Sequence, residues 1–278
     1  MWYTLNGGLN NYIFTDNETI NPTAWAALLD GLITITFYAN DTFYHTSSAE
    51  VNLIKDTQIP SITVNSPADD DIFDSSAPSF NVRITDDNLD TMWYTLDGGL
   101  NNYTFTDNET INPTAWAALL DGPITIIFYA NDTFGHLASA EITIIKDTQA
   151  PTIVINSPSP GSEFGVNAPV FNITITDDHL DAIWYSLDGG LTTYAITTNA
   201  TIDQTAWAAL SEGSITITFY ANDTVGNVAS EDVIITKSIP SGGDDPTIII
   251  VIVVVSIVGG VAVIAGLYIF MKKRGTPE

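Results

Sequence analysis

The chain has no cysteine and very little base. Without cysteine no disulfide can staple a small domain, so every core must hold by packing alone, and thiolate metal centres and thiol nucleophiles are excluded. Lys and Arg number seven against 33 Asp and Glu, and Lys272, Lys273 and Arg274 sit together near the C-terminus. Residues 1–246 therefore carry 32 acids and four bases, a formal net charge of −28. Phosphate binding needs Lys and Arg, so nucleic acid is excluded as a partner. Histidine is scarce too, with only His45, His136 and His179. No nucleophile motif, phosphate loop or Cys/His cluster appears, and a non-enzyme is expected.

What the chain has is repetition, with a period of 91 residues. Trp2, Trp93 and Trp184 lie on that period, as do Trp25, Trp116 and Trp207, and Asp41, Asp132 and Asp223. Residues 2–45 differ from residues 93–136 at only five positions: Asn6/Asp97, Ile13/Thr104, Leu32/Pro123, Thr36/Ile127 and Tyr44/Gly135. Such self-similarity marks an array of small domains. Stalks and adhesins gain reach from each copy, whereas enzymes seldom gain from near-identical active sites in a row.

Within one copy, short β-branched runs alternate with turn chemistry. Ser61–Ser66, Phe80–Thr85, Thr91–Leu96, Ile124–Asn131 and Ala138–Lys146 read as strands, and Asp97-Gly98-Gly99 as a turn. Along Ile124–Asn131, Ile124, Ile126, Phe128 and Ala130 share one face. About seven short strands per copy, with no long helical pattern, predict an all-β fold of tandem immunoglobulin-like β-sandwich repeats. Residues 114–120 are expected to form one helical turn, with Trp116 and Leu120 plugging the base of the core. Tyr94 is expected in the core, which turns Trp93 outward. The expected divisions are 1–58 (a partial repeat), 59–149 and 150–240 (full repeats), 241–246 (linker), 247–270 (membrane helix) and 271–278 (cytoplasmic tail).

The motifs D-x-x-L-D-x-x-W-Y-[TS]-L-D-G-G, D-G-x-I-T-I-x-F-Y-A-N-D-T-x-G-[HN] and K-D-T-Q-x-P resemble the Ig-like repeats of archaeal cell-surface proteins and bacterial adhesins. The resemblance covers residues 1–240 and implies a sandwich repeated as a stalk. It implies little about a ligand, because such domains host many functions.

The acids recur at one end of each sandwich. For the second repeat the loops at that pole carry Asp86, Asp87, Asp90 and Asp132, and the entering linker carries Asp56. For the third the set is Asp177, Asp178, Asp181 and Asp223 with Asp147. Carboxylates converging in this way would suit calcium, which takes six to eight oxygens in irregular geometry. The linker Asp gives way to Ser238 where no further repeat follows. Asp is also a common turn residue, and an acidic surface can serve solubility alone. His45 and His136 occupy the slot that Asn227 fills in the third copy, which marks a turn residue.

Sequons for N-glycosylation occur at Asn17, Asn40, Asn102, Asn108, Asn131, Asn172, Asn199 and Asn222. Outward Trp2, Trp93 and Trp184 offer a second reading, aromatic platforms for glycans or cell-surface proteins. A third makes the repeats a spacer for an N-terminal catalytic or receptor domain.

The only long apolar run, Thr247 to Phe270, is 24 residues without a charge. That is enough for one transmembrane helix. Lys272, Lys273 and Arg274 place the C-terminus in the cytoplasm and residues 1–246 outside, a single-pass protein of the cell membrane. The spacings Ser256-xxx-Gly260 and Ala262-xxx-Gly266 would let two such helices associate. Met1 aligns with Met92, deep inside the second copy, so the chain is expected to be the C-terminal part of a longer surface protein.

Overall fold

A computed structural model describes residues 1–239, 249–258 and 261–271, the last two stretches as strands alone. The chain separates into two compact units, Met1–Gln149 and Ala150–Glu278.

The first unit opens with the partial repeat, whose strands β1 (Trp2–Leu5), β2 (Tyr12–Ile13), β3 (Gly31–Asn40) and β4 (Thr46–Lys55) form one sheet in the order β2-β1-β3-β4. The second repeat adds β5 (Ser61–Ser66), β6 (Ile72–Phe73), β7 (Asn81–Thr85), β8 (Leu89–Thr95), β9 (Tyr103–Phe105), β10 (Gly122–Asp132) and β11 (Leu137–Lys146). Five of these make a sheet in the order β6-β11-β10-β8-β9, and β5 pairs with β7 in a second, smaller sheet. In the second unit β12 (Thr152–Ser157), β13 (Glu163–Phe164), β14 (Asn172–Thr176), β15 (Leu180–Ser186), β16 (Tyr194–Ile196), β17 (Gly213–Asp223) and β18 (Val228–Lys237) repeat the arrangement as β13-β18-β17-β15-β16 and β12-β14. These are the facing sheets of an Ig-like sandwich.

The alternation along β10 is as the pattern requires. Ile124, Ile126, Phe128 and Ala130 are buried between the sheets with Phe80, Val82, Tyr94, Ile142 and Ile144. Tyr94 is in the core and Trp93 is half-buried on the other face.

The corner before β10 is a helix of six residues, α2 (Pro113–Ala118), with a five-residue α1 (Pro22–Ala26) and α3 (Gln204–Ala209) at the same place in the other repeats. Asn112 Oδ1 caps it by accepting from Ala115 N at 3.0 Å, and Pro113 stands where no N–H is needed. Tyr94 Oη accepts from Asn112 N at 2.7 Å, tying the cap to the core strand. Trp116 is fully buried and its indole Nε1 donates to Asp74 O at 3.1 Å. Leu120, expected beside it, is exposed. The helix stops at Ala118 and Leu119 turns extended, so Leu119 packs on the core in its place.

Helix ends leave carbonyls without partners. Here the last residue of β11 supplies them. Lys146 is buried, and its Nζ donates to Trp116 O at 3.0 Å and Leu119 O at 2.6 Å, 5.7 Å from the Trp116 ring. Lys237 does the same to Trp207 O at 2.8 Å and Leu210 O at 2.6 Å, and Lys55 donates to Leu28 O. Removing the donor leaves buried carbonyls unsatisfied at about 1–3 kcal/mol. Lys146→Met, which keeps the chain length, is expected to destabilise the second repeat by about that amount in urea unfolding. A loss within error would show that water replaces the amine.

The C-terminal run differs from expectation. Where one helix is expected over 247–270, Ile249–Val258 (β19) and Val261–Met271 (β20) are strands paired antiparallel. Val and Ile make up nine of the ten residues of β19 and four of the eleven of β20, and their branched Cβ favours extended backbone. Among the described residues no helix is long and apolar enough to cross a membrane. The expected linker 241–246 and the residues 272–278 of the expected tail lie outside the described residues.

Candidate functional site

Each long hairpin β3–β4, β10–β11 and β17–β18 turns around one aspartate. Asp132, at the end of β10, is 1% exposed. Its Oδ1 accepts from Phe134 N at 2.9 Å and His136 N at 2.8 Å, and its Oδ2 lies 2.6 Å from His136 Nδ1. Asp223 holds Val225 N, Asn227 N and Asn227 Nδ2 in the same way at 3.0, 2.9 and 2.7 Å. Asp41 holds Phe43 N, His45 N and His45 Nδ1 at 2.8–2.9 Å. The motif D-T-x-G-[HN] is thus a self-contained turn. Gly135 and Gly226 supply its positive φ of 88° and 92°, which Tyr44 must adopt at 66° in the first copy.

At the second repeat the linker joins this turn. Asp56 Oδ2 accepts from Asn88 Nδ2 at 2.6 Å, and Asn88 O accepts from Thr133 N at 2.9 Å. One ligand atom from each of Asp56, Asp132 and His136 lies within 4.8 Å of the others. Asp86 Oδ1 accepts from Asn88 N at 2.8 Å, and Asp90 Oδ2 accepts from Asn131 Nδ2 at 3.2 Å. Asp87 is exposed. Of the five acids expected at this pole, the structure brings Asp56 and Asp132 into one cluster and adds His136. Asp86, Asp87 and Asp90 are not in that cluster.

In the second unit Asp177 Oδ1 accepts from His179 N at 2.8 Å and Asp181 Oδ2 from Asn222 Nδ2 at 3.2 Å, while Asp178 is exposed. Asp147 closes the first unit, buried, with its N donating to Phe73 O at 2.8 Å and its Oδ1 accepting from Gln149 N at 3.1 Å.

The buried Asp132 is a poor calcium ligand, because both oxygens already accept from the turn and imidazole is not the hard oxygen donor that calcium prefers. Burial pushes its carboxyl up, and the His136 and Phe134 hydrogen bonds outweigh burial and hold it below the ordinary value. His136 is raised, first by its bond to Asp132 and, against burial, by the charges of Asp132, Asp56 and Asp86. A neighbouring cleft of about 560 Å³ is lined by further carboxylates, Asp30, Asp56, Asp86 and Asp87, with Lys55 and Asn88, and Asp56 there already accepts from Gln58 N at 2.9 Å and Asn88 Nδ2 at 2.6 Å.

The remaining candidates are placed as follows. Trp2, Trp93 and Trp184 each stack on the Tyr opposite in the next strand, Tyr38, Tyr129 and Tyr220, with ring centroids 5.3–5.4 Å apart. One face of each indole is therefore covered. Asn17, Asn40, Asn102, Asn108, Asn172 and Asn199 are exposed. Asn108 Oδ1 accepts from Val82 N at 2.7 Å and Asn199 Oδ1 from Ile173 N at 2.8 Å, which accounts for their period. Asn131 Nδ2 donates to Asp90 Oδ2 and Asp132 O, and Asn222 Nδ2 to Asp181 Oδ2 and Asp223 O.

In the linker motif K-D-T-Q the residues after the Asp hold the chain in place. Thr148 Oγ1 donates to Asp121 at 2.9 Å and Gln149 Nε2 to the same carboxylate at 3.0 Å, so the linker is pinned to the repeat it leaves. Lys55, Lys146 and Lys237 fall on the 91-residue period, which is the signal that could have revealed the buried amines.

No protein-family model and no curated protein matches the chain. Solved structures similar to it include the fibronectin(III)-like modules of CbhA from Clostridium thermocellum (12% identity, 64% of this chain and 94% of that one, TM-score 0.36). A 1.5-MDa bacterial ice-binding adhesin is similar at 16% identity over 85% of this chain and 83% of that one, TM-score 0.39. A Ca²⁺-stabilized adhesin with which an Antarctic bacterium binds ice is similar at 15% identity over 75% and 58%, TM-score 0.38.

The His136 ring makes a pH prediction. Its folded value lies above the ordinary 6.5, so the stability it lends is complete below that pH and is lost as pH rises through the folded value. Asn fits the slot in the third repeat, so His136→Asn is expected to keep the turn and flatten this loss. Melting temperature against pH for both chains is the measurement. Equal slopes would mean that the ring contributes nothing as a cation.

Proposed function

We propose that this chain is a membrane-anchored extracellular spacer of Ig-like repeats, working in adhesion or envelope architecture. The observation that carries the reading is one composite sandwich used repeatedly, with its acids engaged in turns and linkers and with no convergent catalytic group among the described residues. The uncharged Thr247–Phe270 run followed by Lys272, Lys273 and Arg274 supports the anchor. Two paired strands alone leave two unpaired edges, which hydrocarbon cannot satisfy, so in a bilayer the same run is expected to span as one helix.

Expression of the full chain in a host that N-glycosylates tests topology and glycan placement together. Residues 1–246 should be digested from outside the cell, the chain should resist alkaline extraction, and occupancy at exposed Asn102 and Asn172 should exceed that at Asn131 and Asn222. A chain that extracts freely or stays protected from outside sinks the reading.

A second element is favoured by the acidic cleft. Calcium would bind there through Asp86 and Asp87, leaving Asp56 and Asp132 to the hydrogen bonds they already accept. Binding to the folded state alone raises the melting temperature with calcium concentration. That rise should disappear when Asp86 and Asp87 are both changed to Asn. No rise at millimolar calcium in the unaltered chain would leave these carboxylates as a solvated acidic face.

A further inference from the structure

The first sheet exposes a face that the other repeats bury. Because residues 2–45 repeat residues 93–136 at all but five positions, each of its core positions there has a counterpart, and the same period carries β4 onto β11. Leu53 and Val51 on β4 correspond to Ile144 and Ile142 on β11. Ile144 is 0% and Ile142 7% exposed, whereas Leu53 is 41% and Val51 40% exposed. Trp25 and Ile20, whose counterparts Trp116 and Ile111 are fully buried, line an apolar hollow of about 360 Å³ together with Leu53. The edge is open as well. β4 ends the first sheet, whereas Ile145 and Lys146 of β11 pair in parallel with Ile72 and Phe73 of β6.

In the second repeat the cover comes from residues 59–91. Phe80 and Val82 are buried against that sheet, with Ile62, Val64 and Ile84 packed beside them. The third repeat uses Phe171, Ile173, Ile153 and Ile155 at the same positions. The interface is thus built twice on the residue types that the first sheet exposes.

We propose that the open face and edge of the first sheet are a docking site for a chain segment of the type of residues 59–91. Its two antiparallel strands would bring apolar side chains equivalent to Ile62, Val64, Phe80 and Val82 onto Leu53, Val51 and Trp25. Its short third strand, equivalent to Ile72–Phe73, would pair in parallel with Ile54 and Lys55. The occupant follows from continuity with the interface inside the second and third repeats. A compact apolar ligand would fill the hollow and leave the β4 edge unpaired, an exposed template for association. The segment satisfies both at once.

The test uses the full chain in detergent micelles and a fluorescent synthetic peptide of residues 59–91. Saturable one-to-one binding by anisotropy is expected, together with protection of residues 46–58 from protease. Leu53→Asp on the chain, or Phe80→Ser with Val82→Ser on the peptide, should weaken binding about tenfold or more. Val51→Thr with Leu53→Thr, which keeps strand propensity, serves as the second variant if the aspartate disturbs the sheet. No binding at millimolar peptide, or binding that none of these changes weakens, overturns the proposal. So does a dimer in sedimentation that Leu53→Asp abolishes and the peptide does not displace, since the face would then belong to a second copy.

Discussion

The buried lysine at the end of the last strand ties the corner helix of each repeat to its sheet. A corner helix of five or six residues is too short to be stable by itself, and it ends with carbonyls that no later turn can satisfy. Lys55, Lys146 and Lys237 reach those carbonyls from the neighbouring strand, and the two in the complete repeats lie over the indoles of Trp116 and Trp207. Helix, last strand and core are thereby joined at one point. The chain has four bases before its C-terminal apolar run, and three of them are here. Scarcity of base is therefore a structural fact as much as a surface one.

The acids are organised by the same economy. Asp41, Asp132 and Asp223 each close a hairpin by accepting from two backbone N–H groups and one side chain. Asp97 closes another turn, where the Asn101 amide, backbone first, lowers its carboxyl to about 2. Asp121 gathers Thr148 and Gln149, and there burial pushes the carboxyl up while those hydrogen bonds outweigh it. A carboxylate that accepts backbone N–H bonds is stabilised as an anion without a counter-ion. That is how so acidic a chain folds with so few bases.

The first and second repeats separate local from tertiary causes. Nearly the same residues make the same strands, the same cap and the same aspartate turn in both. Burial nevertheless differs, because strands like β5 and β7 face one sheet and not the other. Eleven residues are buried in the core of the second repeat and four in that of the first. Strand formation follows from alternation and turn chemistry, whereas a closed core needs the second layer.

By itself the sequence determined the period, the all-β class, the inward face of β10, the outward Trp93 and the turn role of His136, because strand alternation and turn residues act over a few positions. It also identified the acidic pole as a region. It did not determine which acids meet there, since a loop carboxylate is placed by the hydrogen bonds of other loops: Asn88 draws in Asp56, and Asn131 holds Asp90. Leu119 in place of Leu120 depended on where a short helix broke, and the buried lysines depended on a strand end meeting a helix end 27 to 30 residues away. The apolar run at the C-terminus reads as a helix only from its length and lack of charge, which say nothing of strand pairing. The structure pairs it as two strands, because branched Cβ atoms favour extended backbone and each strand supplies the other's hydrogen bonds.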